Sequence, residues 1–248
     1  MKPLRQKTRK FLLILSFILF PIIQYYFSPY LIIRAASGNI INGSFIIFLV
    51  FLFLGIFLGR FFCGWTQPCG GLQEIFFLFR DKKIKNNFGN YIKYIIWIFW
   101  ILLLISIIII SGGYKRINFF YGTVKGISIS NIYAYIVYYG VIFIFLLLSL
   151  IFGRRASCHY ICWMSPFMII GRFIGNVLNI SSLRLRSDKD KCISCKKCND
   201  ICPMSLDVNN MVLNNKMENS ECILCGECVD SCKNGVIKFY FGTLKSNK

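Results

Sequence analysis

Apolar residues fall in long unbroken runs over roughly the first 150 positions and in short alternating runs near the end. Four of the long runs, Phe11–Ile33, Ser44–Phe62, Tyr91–Ser111 and Ile132–Phe152, come close to or exceed the ~20 residues that a helix needs to cross a bilayer. Pro21 and Pro29 interrupt the first, so it is expected to kink or to end near Phe27. Phe167–Ile180 is apolar but shorter and carries Arg172, which reads as an amphipathic helix along the membrane interface. Further on, Leu183–Arg186 and Val236–Phe241 read as two short outer strands. The pattern divides the chain into a four-helix transmembrane domain at 1–152, a membrane-proximal segment with the interfacial helix at 153–182, and a small α+β domain at 183–248.

Composition agrees: 56% of residues are hydrophobic and 17% aromatic, too apolar for an ordinary soluble domain. The formal charge of +19 resembles a nucleic-acid signal until it is divided along the chain. Residues 1–187 hold 20 Lys and Arg against two acids, Glu74 and Asp81, whereas residues 188–248 hold nine bases against eight acids. The excess lies beside the apolar runs, where anionic lipid attracts it, and the nearly neutral tail offers no basic face for nucleic acid. Lys2, Arg5, Lys7, Arg9 and Lys10 precede the first run, and Arg60, Arg80, Lys82, Lys83, Lys85 and Lys93 fall around the second connection. The first connection has only Arg34, and the third has Lys115, Arg116 and Lys125. By the positive-inside rule the protein is a multi-pass cell-membrane protein whose amino terminus and tail are cytoplasmic. Ala35-Ala36-Ser37 after the first run mimics a signal-cleavage site, but the run is long and three more follow, so it is expected to stay.

Eight of the 12 cysteines form two runs, Cys192, Cys195, Cys198, Cys202 and Cys222, Cys225, Cys228, Cys232, each spaced C-x2-C-x2-C-x3-C. In such runs three thiolates wrap one iron–sulfur cube and the fourth reaches the neighbouring cluster. The expected sets are therefore Cys192, Cys195, Cys198 and Cys232 for one [4Fe–4S] cluster, and Cys222, Cys225, Cys228 and Cys202 for a second. Pro203 completes the usual ending of the first run, while Lys233 stands there in the second. Structural zinc uses paired C-x2-C knuckles, and disulfides suit small secreted domains; neither accounts for the spacing occurring twice. Ile193, Ile201, Ile223 and Val229 are expected to cover the clusters.

The second and fourth apolar runs end in similar phrases. Gly59-Arg60 leads to Cys63-Gly64-Trp65-Thr66-Gln67-Pro68-Cys69, and Gly153-Arg154-Arg155 leads to Cys158-His159-Tyr160-Ile161-Cys162. With one residue inserted, Cys63 matches Cys158 and Gln67 matches Cys162, so the paired spans read as two copies of one hairpin. These phrases, followed by a two-cluster tail, resemble the NapH-type polyferredoxin family of membrane iron–sulfur proteins, which includes quinol dehydrogenase membrane components, nitrous-oxide-reductase regulators and cytochrome-oxidase accessory proteins. The resemblance implies four spans, two membrane-proximal C-x3-C-P signatures and electron transfer through [4Fe–4S] clusters. The chain departs from those signatures: Gln67 replaces the second cysteine of the first, with Cys69 two residues later, and the proline of the second is displaced to Pro166.

Cys63, Cys69, Cys158 and Cys162 are thus candidates for a third metal centre, against buried hydrophobic cysteines or a transient redox pair. His159, the only histidine, is a candidate proton carrier or a satisfied interfacial side chain. Trp65 and Trp163 suit an aromatic belt, and Glu74 is expected to pair with Arg60 or Arg80. No dinucleotide fingerprint or P-loop is present, so electrons must come from elsewhere. The expected function is a membrane-anchored electron carrier, a subunit of an oxidoreductase rather than a stand-alone enzyme. It would relay single electrons between a cytoplasmic redox partner and quinone or a membrane partner. The competing class is an accessory or regulatory iron–sulfur protein that serves the maturation of another oxidoreductase.

Overall fold

The computed structural model describes residues 4–77, 80–84, 88–130 and 132–244; Lys2 and Lys85, counted above among the flanking charges, lie outside them. Two helices, Gly89–Ile110 and Ile132–Phe152, are long and apolar enough to cross a membrane. Both leave most of their side chains uncovered by the rest of the protein, as lipid-facing helices do. The first apolar run forms the helix Leu4–Ile18 and then bends by 59° into Phe20–Phe27. The break falls where Pro21 removes a backbone donor, and the turn ends at Phe27. Counting that bent pair as one span gives up to three.

The second apolar run gives a helix of only 16 residues, Gly43–Leu58, because Gly59 turns left-handed with φ of 55°. At 1.5 Å per residue that helix spans about 24 Å, short of the ~30 Å hydrocarbon layer. It packs along Ser165–Val177 through a seam of small residues. A methyl group added at Gly171 would lie 2.1 Å from the Leu52 carbonyl oxygen, and one at Gly55 2.5 Å from that of Met168. The expected interfacial helix therefore has a specific helical partner.

At the start of the Gly43–Leu58 helix, Ile40–Asn42 pairs in parallel with Arg116–Asn118, joining the first and third connections. Past the other end of that helix, the short segments Phe61–Trp65 and Pro68–Phe76 carry the tail. The tail's outer strands are Ser182–Ser187 and Ile237–Gly242, antiparallel with Leu185 opposite Phe239. Between them the two cysteine runs adopt the same backbone. Ser194 and Lys196 in the first run, and Leu224 and Gly226 in the second, all have positive φ, and each pair is followed by a five-residue helix, Lys197–Ile201 or Glu227–Ser231. Left-handed residues placed this way form the concave nests of N–H groups found at anion and iron–sulfur sites.

Candidate iron–sulfur site

The two expected quartets each assemble. Cys192, Cys195, Cys198 and Cys232 line one cavity of about 120 Å³, and Cys202, Cys222, Cys225 and Cys228 line another of about 20 Å³. Crossing of the fourth cysteines follows from the antiparallel return of the chain, which sets the two five-residue helices against each other. Among the described residues no three His, Cys, Asp or Glu side chains converge closely enough to hold a single metal ion.

The two cavities differ in setting. Cys195 is exposed, and Ile193 beside it is 73% exposed. Cys202, Cys225 and Cys228 are buried under Met204, Leu206 and Ile223. Ile193 and Ile201 were expected to shield clusters, but both are exposed; only Ile223 is fully buried, with Val229 partly so. Burial pushes the Cys225 thiol up to about 12 and that of Cys222 to about 11, so cluster loading there must displace protons.

The buried quartet sits on the helical part of the protein through backbone contacts. Gln6 Nε2 donates to the Cys225 carbonyl at 3.0 Å, and Trp65 Nε1 donates to that of Leu224 at 3.1 Å. Gly64 lies against the Ile223 carbonyl, where a Cβ would come within 2.3 Å. Trp65, expected in an aromatic belt, is thus a seat for the tail, while Trp163 Nε1 donates to the Phe27 carbonyl at 2.8 Å.

Buried ion pairs reinforce this seat. Arg9 bridges Glu74 at 2.7 Å and Glu227 at 2.8 Å, and Arg155 reaches Glu74 at 2.6 Å. Arg60 pairs with Glu221 at 2.8 Å, and Lys93 shares that carboxylate. Burial alone would raise the Glu221 carboxyl, but Arg60 and Lys93 overrule it and hold it down at about 2. Glu74 takes Arg9 and Arg155, not the Arg60 or Arg80 expected. The flanking sequence marks these arginines only as membrane-side charge; for Arg60 and Arg155 their presence inside the recurring Gly-Arg phrase is the one signal of a site role, and Arg9 carries none.

The remaining four cysteines are all buried, from 0% exposed for Cys63 and Cys158 to 6% for Cys69. Gln73 Nε2 donates to the Cys69 carbonyl at 3.0 Å. Gln67 Nε2 lies 3.7 Å from Cys162 Sγ and Gln73 Nε2 3.8 Å from Cys158 Sγ, both as donors. His159 is buried, which lowers its pKa to about 4; its Nδ1 stands 3.1 Å from Asn90 Oδ1. It is a neutral interior imidazole.

Comparison with known proteins agrees with this geometry. A 4Fe-4S binding domain model matches residues 43–87 and again 133–178, and a 4Fe-4S dicluster domain model matches residues 184–233. The chain is an iron–sulfur protein. The double match also reproduces the internal repeat, since each copy holds one apolar helix and one cysteine phrase. Two uncharacterized proteins of Methanocaldococcus jannaschii are similar along most of their length. One is 27% identical over 202 residues, covering 79% of each chain; the other is 26% identical over 216 residues, covering 87% of this chain and 78% of the relative. No solved structure matches.

Proposed function

We propose that this iron–sulfur protein is a membrane-anchored electron relay, exchanging single electrons with a cytoplasmic redox partner at its tail and with quinone or a membrane redox partner at its helical part. The observation that carries this reading is the asymmetry of the two quartets. One opens to solvent at Cys195 and the other is buried against Gly64 and Trp65. Bound [4Fe–4S] clusters supply one-electron chemistry, with potentials set by burial and by hydrogen bonds to sulfur. In this reading Cys192, Cys195, Cys198 and Cys232 hold the outer cluster, and Cys222, Cys225, Cys228 and Cys202 the inner one. Ile223 and Met204 exclude water from the inner set, and the four buried cations Arg9, Arg60, Lys93 and Arg155 fix the tail on its seat.

The same reading places four spans in two repeated hairpins, with the amino terminus and tail cytoplasmic. Its support is the pairing of Ile40–Asn42 with Arg116–Asn118 at the end of the Gly43–Leu58 helix remote from the tail. For the membrane-side partner, a cleft of about 670 Å³ opens between the first helix and the tail. Leu13, Ile14, Phe77 and Ile201 give it an apolar wall, and Arg9 and Glu74 a charged one, a lining suited to a quinone ring and its oxygens. Protein purified without oxygen and reduced with dithionite should be reoxidised by a short-chain quinone, followed through the cluster absorbance. Clusters that stay reduced would remove quinone from the reading; zinc without acid-labile sulfide would remove the relay itself.

A further inference from the structure

Each of the two matched 4Fe-4S binding segments contains only two cysteines, Cys63 and Cys69 in one, Cys158 and Cys162 in the other. Two thiolates are half the complement of a [4Fe–4S] cluster, so neither segment is a site by itself. The fold brings the halves together: Gln73 Nε2 reaches both the Cys69 carbonyl at 3.0 Å and Cys158 Sγ at 3.8 Å, and Gln67, two residues before Cys69, lies 3.7 Å from Cys162 Sγ. We propose that Cys63, Cys69, Cys158 and Cys162 ligate one [4Fe–4S] cluster shared between the two repeats, with Arg60 and Arg155 as its counter-charges.

Charge supplies the second, independent argument. Arg9, Arg60, Lys93 and Arg155 are all buried, and the carboxylates that pair with them are three: Glu74, Glu221 and Glu227. One buried positive charge is left over, a state that proteins avoid unless an anion stands nearby. The unused donors show where it belongs. Arg60 Nε and Nη2 and Arg155 Nε are buried without a hydrogen-bond partner, and each arginine sits one turn before a cysteine: the Cys63 amide donates to the Arg60 carbonyl at 3.0 Å and the Cys158 amide to that of Arg155 at 2.9 Å. A four-thiolate cluster is anionic and accepts hydrogen bonds at its sulfurs, so it would use both the charge and the donors. Gln67 and Gln73 already aim amide N–H groups at Cys162 and Cys158.

Backbone strain points the same way. Arg155 adopts a left-handed conformation with φ of 47°, unfavourable for a residue with a Cβ, and this places its side chain against the Cys63 carbonyl at 2.7 Å. Cysteines serving only as small hydrophobes would leave the buried donors of Arg60 and Arg155 unpaired. Position matters too: Gly64, directly after Cys63, contacts Ile223, directly after Cys222. The shared centre therefore adjoins the buried quartet and extends it toward the membrane.

The count of irons decides the matter, and it rests on the tail carrying two clusters of its own. Full-length protein purified anaerobically in detergent should hold about twelve irons with matching acid-labile sulfide. The double variant Cys158→Ser/Cys162→Ser should lose about four of them while the spin-coupled EPR signal of the reduced tail clusters persists. About eight irons in the wild-type protein, with or without an added zinc, would overturn the shared cluster and leave the tail reading intact. No iron at all would overturn both. If the double variant does not fold, the wild-type count still decides. Arg60→Gln provides a check that does not remove a ligand: it should lower the midpoint potential of the additional centre, and an unchanged EPR redox titration would argue against Arg60 as its counter-charge.

Discussion

The two cysteine runs of the tail share their spacing, their left-handed residues and their following helix, yet one faces solvent and the other faces the membrane part. Superposing them by sequence shows the cause. Lys191 before the first run corresponds to Glu221 before the second, and Lys197 within the first corresponds to Glu227 within the second. Both acids of the second run are buried against cations of the helical part, whereas the two lysines of the first are exposed. Ligand geometry is therefore the common part of the design, and orientation is set by charge reversal at two equivalent positions. A basic seat selects the acidic copy.

The strongest way to break this contrast is to remove a cation from the seat. In Arg9→Leu, Glu74 keeps Arg155 but Glu227 is left buried with no cation, a loss of about 3–5 kcal/mol by the usual cost of orphaning one member of a buried pair. The tail should come loose as a unit, read out as rapid proteolysis in the Leu178–Ser182 connection. A digestion pattern identical to wild type would show that the ion pairs do not hold the seat. A smaller effect is expected from Gly64→Ala. The new methyl would stand 2.3 Å from the Ile223 carbonyl, and backbone cannot yield as a flexible side chain would, so about 1–3 kcal/mol should be lost. Thermal unfolding of the loaded protein would register it, and an unchanged midpoint would mean that the tail does not rest on this glycine.

Much of the tail was legible because ligand spacing is a local constraint: Cys192, Cys195 and Cys198, and again Cys222, Cys225 and Cys228, are close neighbours in sequence that line one cavity each, and the short apolar runs mark the two strands. The break at Pro21 in the first helix is local in the same way. The seat was not legible. Arg9, Arg60 and Arg155 look the same in sequence whether they face lipid headgroups or pair with an acid, and Glu227 lies 218 residues from Arg9. Positive charge beside apolar runs accordingly reads as a membrane signal alone. The covering role given to Ile193 and Ile201 failed for a related reason: hydrophobicity marks a residue as able to be buried, while burial depends on which copy docks.

Ile193 and Ile223 occupy the same position of the two runs, one 73% and the other 2% exposed. Ile193→Ser removes an apolar side chain that is already in water, so stability should change by no more than about 0.5 kcal/mol and iron content not at all. What it should change is exchange with a soluble partner, because an exposed apolar side chain beside an exposed cysteine is the part of the outer site that a docking protein would cover. Reduction of the full-length protein by a small soluble ferredoxin should therefore slow in Ile193→Ser, while reduction by dithionite keeps its wild-type rate. Equal slowing with both reductants would indicate a damaged cluster site instead, and the outer quartet would lose its standing as the entry face.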